Sequence, residues 1–440
     1  MKYSTPVRSS FFRYASANVL GMLGLSCYIL ADTFFISLGV GADGLTALNL
    51  ALPVYSAVRG CGLMLGMGGA TRYSIYQGRA DRETTDAIFS HALMTAAILA
   101  GLFFWAGLTI SSQLASLLGA DGQVFSMTRT YLQVILLFSP LFICNETLLC
   151  FVRNDGAPQL AMTAMLGGSL SNILLDYIFI FPCGLGIFGA VLATGMAPAV
   201  SMLILSPYFL KGRSHFRLTI VRPTRTIIIP LITAGIPSLV AELSSGVVIL
   251  CFNQILLSLA GNLGVAAYGI IANLSLVVLS VYTGIAQGAQ PLLCQSYGSQ
   301  NLKQLSDYFS LAVRTVIIIS VLLYGILALG AAPITAVFNS EGNIQLADMA
   351  MEGMRLYFLG CLPAGFNILL CVFFTSTDRP LPAHLLSLTR GFFLILPAAF
   401  LLARLWAMTG VWLSFPVAEY LTALAGLLLY LRLRLTRSMD

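Results

Sequence analysis

Apolar stretches of membrane length recur along the whole chain and limit its fold more than any other feature. A transmembrane helix needs about 20 predominantly apolar residues, and windows of that length follow one another here with only short polar breaks. Of the 440 residues, 58% are hydrophobic and 9% are charged. This composition excludes a soluble globule with a charged surface. The sequence therefore predicts an all-α polytopic membrane protein.

The window pattern predicts twelve transmembrane helices, numbered here as spans 1 to 12 in chain order. Their expected limits are 15–38, 45–76, 84–110, 122–150, 157–181, 186–210, 227–257, 263–297, 305–335, 349–376, 381–404 and 409–431.

Basic residues between the spans predict the orientation of the chain. They collect in the loops of one side and at both termini, whereas the opposite loops hold almost nothing basic except Arg404. By the positive-inside rule, both termini lie in the cytoplasm, which requires an even number of spans. We expect a multi-pass protein of a bacterial inner membrane. The net charge of +6 resides in such loops, so nucleic acid is not an expected partner.

The two halves of the chain carry an internal repeat. Four glycines recur after 220 residues, and a later Arg-x-Tyr pair also recurs: Gly41, Gly44, Gly68 and Gly78 match Gly261, Gly264, Gly288 and Gly298, while Arg129 and Tyr131 match Arg355 and Tyr357. Because each half has an even number of spans, a pseudo-two-fold axis along the membrane normal relates the halves. We predict a six-helix N-terminal lobe at 1–212, a cytoplasmic connector at 213–226 and a six-helix C-terminal lobe at 227–440.

Five carboxylates interrupt the predicted spans: Asp32, Glu146, Asp176, Glu242 and Glu419. A charged Asp at mid-bilayer costs roughly 2.5 to 3.5 kcal/mol, so such groups usually line an internal cavity and serve function. The sequence has no Walker-type glycine loop and no nucleophile elbow, which argues against an ATP-driven pump or an enzyme. An intramembrane enzyme with paired aspartates is a less favoured alternative, given the twelve-span duplication.

Several motifs, in this order and spacing, resemble the multidrug and toxic compound extrusion (MATE) family. They are YILADTFFISLG at 28–39, ALNLALPV at 47–54, MLGMGGA at 64–70, RNDGAPQ at 153–159, SNILLDYIFI at 171–180 and GIFGAVLAT at 186–194. The resemblance implies an efflux antiporter without a cofactor, in which entry of H⁺ or Na⁺ drives a lipophilic organic cation outward. It also implies a cation-coupling site at Asp32, Asn172, Asp176 and Thr194.

The helix geometry also allows the same four side chains to meet in the outer half of the N-terminal lobe. Asn172 and Asp176 are four residues apart and share one helix face. With the predicted orientation, Asp32, Asp176 and Thr194 all fall in the outer half of the membrane. Two carboxylates in a poorly hydrated site cannot both ionise easily and are suited to share a proton. Together with the oxygens of Asn172 and Thr194 they would also suit Na⁺, so both ions remain open.

A second group of residues is expected to contribute to a substrate cavity: Tyr28, Arg59, Glu242 and Asn253. Arg59 lies near the middle of span 2, where a cation needs a buried acid as its partner or faces the cavity. Two further ion pairs are expected from spacing and depth, Glu146 with Arg153 and Glu419 with Arg390.

The alternative function is a flippase or exporter of a lipid-linked saccharide with the same twin-lobed fold. A pyrophosphate-bearing lipid would require a strongly basic cavity, whereas intramembrane acids here outnumber the mid-span bases. The expected substrate is therefore a small lipophilic cation. We expect a monomer in the lipid bilayer, with no metal other than a coupling Na⁺.

Overall fold

The computed structural model describes residues 5–339 and 342–437, and these are folded almost entirely into helices. The first half holds six membrane-length segments. Span 1 is Thr5–Gly39, span 2 is Ala42–Gly78, span 3 is Arg82–Thr109, span 4 combines Gly122–Leu137 with Ser139–Asn154, span 5 is Pro158–Ile180 and span 6 is Gly186–Leu210. The two helices of span 4 meet at an angle of 50°.

The second half repeats this plan with more irregular helices. Spans 7 and 8 form one unit, Arg225–Gly298, and span 9 is Leu302–Leu329. Span 10 consists of Ile344–Tyr357, a 3₁₀ turn at Phe358–Gly360 and Cys361–Ser376. Span 11 begins as Pro380–Leu388, passes through a π turn at Thr389–Phe393 and continues into Ile395–Arg437, which also contains span 12. Short helices at Ser111–Leu117 and Ala331–Phe338 precede spans 4 and 10.

Twelve crossings follow from these lengths. Nine described helices are long and apolar enough to cross a membrane, or ten if the bent pair is one span. Two of them contain two crossings each. Arg225–Gly298 has 74 residues, far more than the roughly 20 that one crossing needs, and it is broken at Gly261, where φ is 61°. Pro380–Leu433 has 54 residues and is broken at Trp406 and Ala407. The predicted twelve spans are confirmed.

The first glycine of the repeat marks the same turn in both halves. Gly41 has φ 89° between spans 1 and 2, and Gly261 has φ 61° between spans 7 and 8. Glycine adopts positive φ at little cost, because it lacks the Cβ atom that clashes there in other residues. The matching glycines therefore permit matching reversals of the chain.

The buried apolar residues form two large clusters, one for each half of the chain. The first cluster draws mainly on spans 1 to 6 and the second on spans 7 to 12. The start of span 1 is an exception, because Val7, Phe11 and Tyr14 pack into the second cluster. Leu231 of span 7 packs in turn into the first cluster. Spans 1 and 7 thus extend from one cluster to the other, and the lobe boundaries at 212 and 227 stay a prediction.

The connector between the halves is fastened to the first one. Asp155 Oδ2 accepts hydrogen bonds from the His215 backbone N–H at 2.9 Å and from the Tyr208 hydroxyl at 2.7 Å. Further along, the Arg217 backbone N–H donates to Asp86 Oδ1 at 2.8 Å. The connector therefore lies against the first half and is held there by these hydrogen bonds.

The later glycines of the repeat bring the two halves into backbone contact. A Cβ atom at Gly78 would lie 2.6 Å from the Gln295 carbonyl oxygen, and one at Gly298 would collide with the Ile75 carbonyl oxygen. Ile75 and Gln295 are also 220 residues apart, so the two contacts are equivalent under the repeat. Both lie at the ends of spans 2 and 8, on the side that the sequence predicts to be cytoplasmic.

We expect Gly298→Val to weaken this contact, because the added side chain cannot fit against the Ile75 carbonyl. Cys294 is buried one turn away, between Thr71 and Ser376. In a variant that keeps only this cysteine, the rate of maleimide labelling of Cys294 should rise severalfold. Gly325→Val is the matched control, since no atom lies within 4 Å of a Cβ at Gly325. Equal labelling rates in the two variants would contradict the close-packing assignment.

Candidate functional site

Four polar residues predicted to form one site lie close together inside the first half. Asp32 comes from span 1, Asn172 and Asp176 from span 5, and Thr194 from span 6. Asn172 and Asp176 are fully buried, and Asp32 is 7% exposed. Span 1 packs closely against span 5 on both sides of Asp32. The two carboxylates therefore lie in one buried region between these spans, which we call the chamber.

Hydrogen bonds within the chamber leave part of each carboxylate without a partner. The Asn172 amide is oriented so that its nitrogen donates to Asp176 Oδ2 at 3.1 Å and its oxygen accepts from the Thr194 backbone N–H at 3.2 Å, an assignment that satisfies both ends of the amide. The Thr194 hydroxyl donates to the Ala190 carbonyl at 3.1 Å. Among the described residues, Asp32 Oδ1 and Asp176 Oδ1 have no hydrogen-bond partner.

Buried polar atoms without a partner are costly and call for a compensating group. A proton on either carboxylate would supply a donor and remove a charge. A small hard cation would instead be bound by carboxylate oxygens together with the free lone pairs of the Thr194 hydroxyl. The donor set of this chamber suits both.

Tyr131 of span 4 also borders the chamber, and the sequence-based site did not include it. Its buried hydroxyl lies next to the Thr194 side chain. The repeat contained a signal for this residue, because Tyr131 matches Tyr357 of the second half. Tyr357 borders the central cavity described next.

A cavity of about 370 Å³ lies between the two halves. Its walls are mainly apolar and come from both halves; they include Met22, Leu63, Met67, Tyr268, Tyr357 and Phe415. The charged residues on its surface are Arg59, Glu242, Arg390 and Glu419. This volume and this mixture of apolar walls with a few polar groups are typical of small-molecule sites.

Only two of the four residues predicted to contribute to a substrate cavity line this one. Arg59 and Glu242 line the cavity. Tyr28 stands beside it, where its hydroxyl hydrogen-bonds the Tyr55 hydroxyl at 2.9 Å, one helical turn before Arg59. Asn253 does not border the cavity, contrary to our expectation. Its neighbour Phe252 takes the buried face of span 7 and stacks on Tyr268, which turns Asn253 to another face.

Arg59 is held by two carboxylates. Its Nε donates to Glu146 Oε1 at 3.3 Å, and its Nη1 donates to both oxygens of Glu242, at 3.1 and 3.0 Å. The predicted pairing of Glu146 with Arg153 is therefore wrong. Arg153 lies nearer the predicted cytoplasmic end of span 4.

Side chains from other spans reach Arg153 there and take the place of Glu146. Its Nη1 donates to Gln287 Oε1 at 2.7 Å and to Asn18 Oδ1 at 3.1 Å. These acceptors belong to spans 8 and 1, so the spacing of Glu146 and Arg153 within one helix did not decide the pairing.

The predicted pair in the second half is present. Arg390 Nε donates to Glu419 Oε1 at 2.5 Å. The other oxygen of Glu419 accepts from the Asn367 amide at 2.7 Å. Both oxygens of this buried carboxylate are thus satisfied, whereas Asp32 and Asp176 each keep one buried oxygen without a partner.

Comparison with known proteins gives matches over nearly the whole chain. A family model described as MatE matches residues 18–178 and 237–401. The multidrug export protein MepA of Staphylococcus saprophyticus is 27% identical over 433 residues, covering 97% of this chain and 95% of that protein. MepA of Staphylococcus aureus is 26% identical, with coverages of 98% and 95%.

Solved structures share the fold. A crystal structure of MATE in complex with MaL6 superposes with a TM-score of 0.92 at 23% identity, covering 98% of this chain and 97% of that one. The outward-facing conformation of a multidrug resistance MATE family transporter gives 0.91 at 22% identity, with coverage of 99% for both chains. The twin-lobed arrangement of twelve helices is thereby confirmed.

We expect Glu419→Leu to destabilise the protein, because Arg390 would keep its buried charge without a partner. Breaking a buried ion pair from one side typically costs about 3 to 5 kcal/mol, so the midpoint of thermal unfolding in detergent should fall clearly. The double variant Arg390→Met with Glu419→Leu should recover most of the loss, since no charge remains unpaired. A double variant as unstable as the single one would contradict this account.

Proposed function

We propose that this chain exports small molecules across the cell membrane. The chain belongs to the MatE family, and this membership is the basis of the proposal. In finer terms, we infer antiport by alternating access, in which inward movement of H⁺ or Na⁺ drives lipophilic organic cations outward. The curated relatives named as multidrug export proteins support the transport class. The cavity between the halves supports a substrate of drug size.

The observation that carries the coupling proposal is the pair of orphaned carboxylate oxygens, Asp32 Oδ1 and Asp176 Oδ1. A bound ion would neutralise charge in this chamber and satisfy these atoms. On release of the ion, two neighbouring carboxylates would again repel each other. Ion binding therefore changes the energy of packing span 1 against span 5, which is what a coupling site requires.

Span 1 offers a physical route from this chamber to the contact between the halves. Asp32 lies in its outer part, while Ala15 and Val19 of the same helix pack against Gly288 and Gly284 of span 8. A bend or rotation of span 1 at Asp32 would disturb these close contacts. The proposal thus links ion occupancy to the arrangement of the two halves.

The charge balance of the cavity disfavours the lipid-linked saccharide alternative. Its described lining holds two guanidinium groups and two carboxylates, and Glu146 adds a third carboxylate directly behind Arg59. A lipid pyrophosphate would be repelled by surplus negative charge, whereas an organic cation would be attracted. We therefore keep cation export as the proposed function.

We expect Asp32→Asn and Asp176→Asn each to reduce gradient-driven ethidium efflux from proteoliposomes by about tenfold or more, because the amide cannot take up or release the coupling charge. The assay imposes a pH gradient or a Na⁺ gradient separately. Asp43→Asn, at an exposed carboxylate near the start of span 2, serves as the control and should retain full efflux. Undiminished efflux in both test variants would refute the coupling site.

Thr194→Val tests the identity of the ion. The substitution preserves side-chain shape and removes one oxygen from the chamber. If Na⁺ is the coupling ion, the Na⁺ concentration for half-maximal efflux should rise by about tenfold, on the scale of losing a supporting contact at a metal site. If H⁺ is the coupling ion, the pH dependence of efflux should stay unchanged. If a Na⁺ gradient drives efflux and the substitution leaves the Na⁺ concentration for half-maximal efflux unchanged, Thr194 is not a ligand of the coupling ion.

A further inference from the structure

A cluster of three buried charged residues joins the two halves at the cavity. We call it the Arg59 cluster; it consists of Arg59 on span 2, Glu146 on span 4 and Glu242 on span 7. Arg59 and Glu146 belong to the first half, and Glu242 belongs to the second. The cluster contains one guanidinium and two carboxylates, so with all three ionised it carries one surplus negative charge.

Two glycines next to Arg59 build the cluster. A Cβ atom at Gly60 would lie 3.3 Å from Glu242 Cβ, and one at Gly62 would lie 3.1 Å from Glu146 Cβ. Without side chains at these positions, spans 4 and 7 approach span 2 closely on either side of Arg59. The sequence Arg-Gly-Cys-Gly at 59–62 thus directs both carboxylates toward one guanidinium.

The two carboxylates differ in their access to the cavity. Glu242 lines it and keeps 24% of its side chain exposed. Glu146 is not part of the lining, and 16% of its side chain is exposed. Arg59 lies between them with 10% exposed. A guest molecule in the cavity therefore meets Glu242 first, whereas Glu146 stands behind Arg59.

We propose that Arg59 is a resident cation that a monovalent organic cation displaces from Glu242, while Glu146 keeps Arg59 neutralised. A buried charge without a partner is strongly unfavourable. The second carboxylate removes this penalty, because Arg59 and the guest cation then have one acid each. The charge count of the Arg59 cluster thus sets the preferred substrate charge at +1. This inference rests on the proposed export of lipophilic cations.

Aromatic residues in the lining of the same cavity suit the apolar part of such a guest. Tyr357 and Phe415 stack with ring centroids 4.4 Å apart, and both line the cavity together with Tyr268. Aromatic faces attract organic cations and also bury their apolar surface. The second charged pair of the cavity, Arg390 with Glu419, is balanced one to one and adds no surplus charge.

Ethidium and propidium provide the test, since they share one ring system and carry one and two positive charges. Dissociation constants are measured by fluorescence with full-length protein in detergent, at mildly alkaline pH so that free carboxylates stay ionised. Unaltered protein should prefer ethidium. Arg59→Gln should shift the affinity ratio toward propidium by about tenfold or more, because two carboxylates become available. Arg59→Lys should keep the preference for ethidium.

Glu146→Gln tests the charge-balancing step. In this variant a guest cation can reach Glu242 only by leaving Arg59 unpaired, so ethidium affinity should fall by about tenfold or more. The matched control is the double variant Arg390→Met with Glu419→Leu, which removes the second charged pair and leaves the net charge of the cavity unchanged. It should keep the preference for ethidium.

Three results would overturn the inference: equal shifts in Arg59→Gln and in the double variant Arg390→Met with Glu419→Leu, undiminished ethidium binding in Glu146→Gln, or no binding of either dye to unaltered protein. Efflux measurements separate this inference from the proposed function. Unaltered protein that binds the dyes with the expected charge preference but shows no gradient-driven efflux would contradict antiport and leave the binding inference standing.

Discussion

The cost of placing charge inside a membrane organises this protein. Arg59, Arg153 and Arg390 lie within membrane-length helices, and each is held by side chains from other spans. Glu146, Glu242 and Glu419 are held in the same ion pairs. Asp32 and Asp176 differ, because each keeps one buried oxygen without a partner. These two acids are therefore the ones assigned to ion coupling in the proposed function.

The two halves share a plan but use their buried polar groups differently. In the first half, the amide of Asn172 donates to one oxygen of Asp176, and the other oxygen has no partner. In the second half, Asn367 and Arg390 together satisfy Glu419. A carboxylate already paired with a fixed guanidinium has little to gain from a transient ion. This asymmetry supports the proposal of a single coupling chamber within a symmetric frame.

The repeated glycines give the frame its contact surface. Gly78 and Gly298 allow backbone approach at equivalent points of spans 2 and 8, and Gly60 and Gly62 allow it around Arg59. Small residues commonly mediate close helix packing in membranes, where apolar side chains gain little from leaving lipid. The absence of a side chain at glycine thus permits both the contact between the halves and the placement of the Arg59 cluster.

The sequence alone determined the spans, the repeat and the one-turn relation of Asn172 to Asp176, because hydrophobic length and helical spacing are local properties. The family motifs assigned Asp32 and Thr194 to the same site, in agreement with their expected depth in the membrane. Tertiary structure decided which partners meet across helices: Arg59 with Glu146 and Glu242, separated by 87 and 183 positions, and Tyr131 with Thr194. It also turned Asn253 away from the cavity. These contacts depend on helix rotation and tilt, which a helix that is apolar around most of its circumference does not encode in its own pattern.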